Sequence, residues 1–164
     1  MEISPLLDGK QLFELMALLR DAQRVVITAH RGPDGDAMGS TLAWADYLRS
    51  LGKQVRVILP TPCPDFLRLL PGARNVLYFS NDDMRPMATK FIQEADLICL
   101  LDFNALHRLQ DMAQVVERSK AKRLMIDHHE GPDEKAADFI ISHPKASGLS
   151  MNFRAMPRRA SIVG

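Results

Sequence analysis

Three short stretches concentrate imidazoles and carboxylates: HRGPDGDAMGS from His30 to Ser40, LLDFN around Asp102, and IDHHEGPD around Asp127, His128 and His129. The first carries His30, Asp34 and Asp36 between an apolar run and a helix-like segment. Imidazole and carboxylate donors without a thiolate suit a hard or borderline divalent ion, manganese foremost, with magnesium or cobalt as alternatives. So many donors exceed the need of one ion, so the economical reading is two divalent metal ions sharing a carboxylate. Such a pair, roughly 3.5–4 Å apart, can hold a phosphoryl oxygen and activate a water at neutral pH. Gly32 and Gly35 let the backbone turn tightly between ligands. Gly39 and Ser40 read as the opening of a helix whose free amides favour an anion, which makes Ser40 a candidate substrate contact.

Each piece taken alone has an ordinary explanation. Asp-Gly pairs are common in turns, Asp102 could cap a helix, and Asp-His-His could be a solvated loop or a mononuclear site. Their placement weighs more than their identity. Each stretch follows a strand-like run, and open parallel sheets bind ligands beyond the carboxyl ends of their strands.

The elements that must position these residues are legible. Leu12, Leu15, Met16 and Leu19 recur at helical spacing between Lys10 and Ala22. RVVITA, QVRVIL, DLICLLD and KRLMID read as strands, with briefer ones at VLYF and DFIIS. Helices are expected over GSTLAWADYLRSLG, ending near Gly52, over DDMRPMATKFIQEA, and over ALHRLQDMAQVVERSK, with a short one at Phe66–Leu70. Prolines at 60, 62 and 64 mark a loop. Strands apolar on both faces, alternating with helices, predict an α/β fold: a mostly parallel sheet with helices on both faces.

The 164 residues suit one domain, and 46% hydrophobic with 25% charged residues is ordinary for a soluble protein. A net charge of +1 provides no global field for nucleic acid or anionic membrane, yet leaves room for a short nucleotide in a local basic pocket. Cys63 and Cys99 match no zinc or redox spacing, and Cys99 reads as a buried thiol. The N-terminus lacks the features of a secretory signal and no run is long enough to span a bilayer, so the expected location is the cytoplasm, with no membrane partner. Trp44 and Tyr47 read as core or rim aromatics, and His107 and His143 as solvent-facing.

In this order and at these intervals, HRGPDGDAMGS, LLDFN and DHHEGPD resemble the first three motifs of the DHH phosphoesterase superfamily. That superfamily includes RecJ-like exonucleases, family II pyrophosphatases, cyclic di-AMP phosphodiesterases and NrnA-like oligoribonuclease/pAp phosphatases, and the compact spacing is most similar to the last. The resemblance implies that His30 and Asp34 bind a first metal, Asp36 and His128 a second, and that Asp102 bridges both. It further implies that His129 faces the substrate phosphate, that Asp127 orients the ligands from behind, and that Asn104 touches substrate.

The implied activity is manganese-dependent hydrolysis of short RNA (nanoRNA) or 3′-phosphoadenosine 5′-phosphate (pAp) by a metal-activated water. Cyclic di-AMP or a linear dinucleotide is an alternative substrate, and a non-catalytic metal-binding fragment is the reading of another class. Family members carry a fourth motif with another aspartate, then a smaller C-terminal domain, and often form homodimers. Neither feature is read here. The expectation is therefore an incomplete catalytic domain over residues 1–147, an aberrant or disordered tail over 148–164, and a weakly active or inactive truncated chain.

Overall fold

The apolar runs become six parallel strands in one sheet: β1 (Arg24–Thr28), β2 (Gln54–Leu59), β3 (Leu77–Tyr78), β4 (Leu97–Leu101), β5 (Lys122–Asp127) and β6 (Phe139–Ser142). The computed structural model describes residues 7–143, so the predicted tail lies outside the described residues. The strand order is β3-β2-β1-β4-β5-β6, the doubly wound arrangement in which β1 and β4 lie side by side at the centre.

Alternation along each strand sends side chains to two separate cores. Val25 and Ile27 of β1 and Leu97, Cys99 and Leu101 of β4 join one cluster, with Leu15 and Leu19 of α1 (Gly9–Asp21) and Met38, Trp44 and Leu48 of α2 (Gly35–Ser50). Val26, Ile98, Leu100 and Met125 join the other, with Ala88 and Ile92 of α3 (Arg85–Glu94) and Met112 and Val116 of α4 (Met112–Arg118). All five residues of β4 are buried, which is why it reads as an unbroken apolar run. Each such Leu or Ile contributes roughly 1.5–3 kcal/mol by leaving water. Cys99 is a buried free thiol that accepts from Trp44 Nε1 at 3.4 Å. Among the described residues, no helix is long and apolar enough to cross a membrane.

Two expected helices are corrected. The one after the first motif begins at Gly35, not Gly39: Asp34 is its N-cap, with Oδ1 accepting from Ala37 N–H at 2.9 Å. Ser40 therefore falls in the second turn, fully buried, with an Oγ that has no hydrogen-bond partner. It does not open the helix toward an anion. The helix expected over 105–120 is two pieces, a 3-10 turn at Leu106–Leu109 and then α4. Leu106 and Leu109, three apart, both face the core, as the tighter turn allows. Gln110 then takes a positive φ of 54° and breaks the run.

Candidate metal centre

The connection leaving β1 runs through α2 on one face of the sheet, and the one leaving β4 runs through α4 on the other. Their diverging loops open a crevice at the carboxyl ends of the central strands. His30, Asp34 and Asp36 come from the β1 loop and the first turn of α2, Asp102 from the end of β4, and Asp127, His128 and His129 from the end of β5.

Asp102 is the hub. It is 3% exposed, and its two oxygens face different imidazoles: Oδ1 lies 2.7 Å from His128 Nε2 and Oδ2 lies 3.6 Å from His30 Nε2. Burial pushes the Asp102 carboxyl up, but hydrogen bonding to His30 and His128 outweighs this and holds it below the usual carboxylate range. In turn, the Asp102 carboxylate raises the pKa of His30 above its ordinary value, against burial and against the nearby charge of Arg108. Asp102 also adopts a positive φ of 62°, a left-handed conformation that costs an L-residue roughly 1–2 kcal/mol. Its own N–H donates to the Ile126 carbonyl at 3.1 Å and ties the strained residue to β5.

Two groups of donor atoms meet at this hub. His30, Asp34 and Asp102 form one, with donor atoms within 4.8 Å of one another; Asp102, Asp127, His128 and His129 form the other on the same criterion. Asp36 lies beside the second, its Oδ2 3.7 Å from His128 Nε2. Imidazole and carboxylate converge here without a thiolate, and one carboxylate belongs to both groups. That donor set fits a pair of hard or borderline divalent ions. The hydrogen bond between His128 and Asp102 occupies atoms that a bound cation would take, so metal binding would replace this contact.

The adjacent histidines are held differently. His128 turns to Asp102, whereas His129 Nδ1 lies 2.6 Å from Asp127 Oδ1 and its backbone N–H donates to Asp127 Oδ2 at 3.1 Å. Asp127 is fully buried, and its partner assigns the proton of His129 to Nδ1, leaving Nε2 free. The two rings sit 4.4 Å apart. Asn104 Nδ2 donates to the Glu130 carbonyl at 3.0 Å, bracing the loop after the histidines.

Two further residues shape the rim. Thr61, just past β2, accepts the Gly32 N–H on Oγ1 at 2.7 Å and fixes the motif loop. Arg108 accepts the Arg31 N–H on its carbonyl at 3.0 Å. Neither was singled out in the sequence. Thr61 had a usable signal, a hydroxyl at the carboxyl end of a predicted strand; Arg108 was hidden within what read as one continuous helix.

The family model described as the DHH family, N-terminal domain, matches residues 24–162. The chain belongs to the DHH family. Among solved structures, an exopolyphosphatase-related protein from Bacteroides fragilis is 36% identical with a TM-score of 0.90, the match covering 98% of this chain and 47% of that one. This chain thus spans about half the length of that relative. RecJ from Thermus thermophilus, solved in complex with Mn2+, is 18% identical with a TM-score of 0.55, covering 96% of this chain and 21% of that one. A Sir2 enzyme structure at 10% identity reaches a TM-score of 0.66, covering 94% of this chain and 98% of that one. At such identity RecJ and Sir2 share the fold alone. The architecture is the DHH phosphoesterase fold, and this chain carries its acid-and-histidine groups at the strand ends of that doubly wound sheet.

Proposed function

We propose that this chain carries the metal-binding catalytic part of a manganese-dependent phosphoesterase acting on short RNA or on pAp. The observation that carries this reading is the Asp102 carboxylate, buried and shared by two groups of potential ligands. His30, Asp34 and Asp102 would hold one ion, and Asp102, Asp36 and His128 a second. Two divalent ions supply Lewis-acid polarisation of a phosphoryl oxygen and activation of water. The protein's own groups do the rest. Asp127 fixes His129 through Nδ1, so that a protonated His129 would present its Nε2–H as a donor to a phosphate oxygen at the crevice mouth. The wall behind the crevice, with Asp102 and Asp127 buried, keeps these charges out of bulk water and strengthens their interactions.

Inorganic polyphosphate is a second substrate reading, favoured by the name of the 36% identical relative. The test is direct. Purified chain is titrated with Mn2+ and offered pAp, 5′-labelled RNA trimers, cyclic di-AMP and polyphosphate. Two ions per chain, with release of phosphate or mononucleotide from pAp or RNA that Asp102→Asn abolishes, is the expected result. Turnover confined to cyclic di-AMP or polyphosphate would move the substrate and keep the chemistry. Mn2+ binding without turnover on any substrate would support the non-catalytic fragment, and failure to bind Mn2+ would overturn the proposal.

A further inference from the structure

Arg31 and Arg108 stand at the crevice with no task in the scheme above. The two are joined backbone to backbone, Arg31 N–H to Arg108 carbonyl, at 3.0 Å. Arg31 directly follows His30, and its carbonyl lies 2.7 Å from His30 Nδ1, so the joint is fixed to a residue of the metal centre. Arg108 rides on the 3-10 turn at Leu106–Leu109, beginning four residues beyond Asp102. Leu106 and Leu109 of that turn are 9% and 0% exposed, which anchors it in the core and leaves Arg108 half-buried at its surface.

Arg68 pairs with Asp65 at 3.5 Å and Arg85 with Asp82 at 3.4 Å, whereas Arg20, Arg74 and Arg118 on the outer surface carry no ion pair among the described residues; what sets Arg31 and Arg108 apart is their place beside His30. Among the described residues, the Arg31 and Arg108 guanidinium groups have no ion-pair or hydrogen-bond partner. Backbone and core contacts, not attraction to a carboxylate, hold these two residues next to the loop that carries His30. A planar guanidinium fork matches the oxygens of a phosphate, and a charge-assisted bond to it is among the stronger polar contacts available.

We propose that Arg108, with Arg31 beside it, grips a phosphate other than the one held over Asp102, and so selects ligands with two phosphates separated by one ribose. The inference rests on the nucleotide reading of the crevice. Both pAp and a 5′-phosphorylated dinucleotide offer that spacing, and a nucleoside monophosphate does not.

The test is equilibrium binding, in Mn2+, of pAp, the dinucleotide pApA and adenosine 5′-monophosphate to the wild type and to Arg108→Gln, Arg31→Gln and Arg108→Lys. Wild type is expected to prefer at least one two-phosphate probe over the monophosphate by about tenfold or more, the scale of one charge-assisted hydrogen bond. The probe with the larger ratio identifies the source of the second phosphate. Arg108→Gln is expected to erase the preference while Mn2+ content and melting temperature stay unchanged. Arg31→Gln should reduce the preference, and Arg108→Lys should restore part of it, since a point charge lacks the fork. Equal affinity for the probes in wild type, a preference that survives Arg108→Gln, or an equal loss on all probes would overturn the assignment. A preference without hydrolysis would sink the phosphoesterase reading and leave this one standing; hydrolysis without a preference would do the reverse.

Discussion

At the starting ends of the strands, Asp96 accepts the N–H groups of Gln23 and Arg24 at 3.0 and 2.7 Å, and Asp138 accepts that of Arg123 at 2.8 Å. At the finishing ends, Asp102 and Asp127 face imidazoles at 2.7 and 2.6 Å. The residue type is the same, and the partners decide what it does. Backbone amides cannot leave, so Asp96 and Asp138 are fasteners that set strand positions. Imidazoles can exchange a proton for a cation, so Asp102 keeps its chemistry available. Strain follows the same division: the non-glycine residues with positive φ among those described, Asp102 and Gln110, both lie beyond the finishing end of β4. Strain of this kind gathers where geometry serves a ligand.

The sharpest way to break this contrast is Asp102→Asn. Asparagine keeps the left-handed backbone and removes the charge, so Mn2+ affinity should fall by more than about 100-fold while the melting temperature holds or rises. Parallel loss of fold would make Asp102 another fastener. Asp127→Asn comes next: an amide has one acceptor oxygen where the carboxylate has two, so the paired bonds to the His129 N–H and Nδ1 cannot both form, and turnover or metal affinity should drop by about 10–100-fold in the same titration.

At the opposite edge, Asp96→Ala should cost about 1 kcal/mol in denaturant unfolding and leave Mn2+ binding alone. Its pH dependence has a definite sign. Hydrogen bonding from the Arg24 N–H, outweighing burial, holds the Asp96 carboxyl below its ordinary 3.8. Its stabilisation is therefore fully present above that value and fades as the pH falls through the lowered one, so wild type and variant should converge in acid. An Asp96→Ala protein that lost Mn2+ would dissolve the distinction. Smallest of all, Gln110→Gly should stabilise by about 0.5 kcal/mol, as relief of the positive φ outweighs glycine's added chain entropy.

Much of the fold was written in periodicity. Strands such as Leu97–Leu101 are buried on both faces, and their unbroken apolar runs say so without help. The acid and histidine clusters were legible because a parallel sheet forces strand ends together. The failures lie where local signals carry two meanings. Asp34-Gly35 serves as turn chemistry and also as an N-cap with the first helical residue, and only tertiary context decides for the cap. Gln110 adopts a conformation, φ 54° with ψ −132°, that glycine would have announced, so nothing warned of the break before α4. Thr61 and Arg108 act through loops that meet only after folding, which no spacing within one segment reveals.

The register of β6 carries one more consequence. Ser142 lies opposite Asp127, and the N–H of His143 donates to the Asp127 carbonyl at 3.1 Å. The end of β6 is thereby clamped to the strand that presents both histidines, so a slip of this short edge strand would be transmitted to the metal centre through the backbone of Asp127.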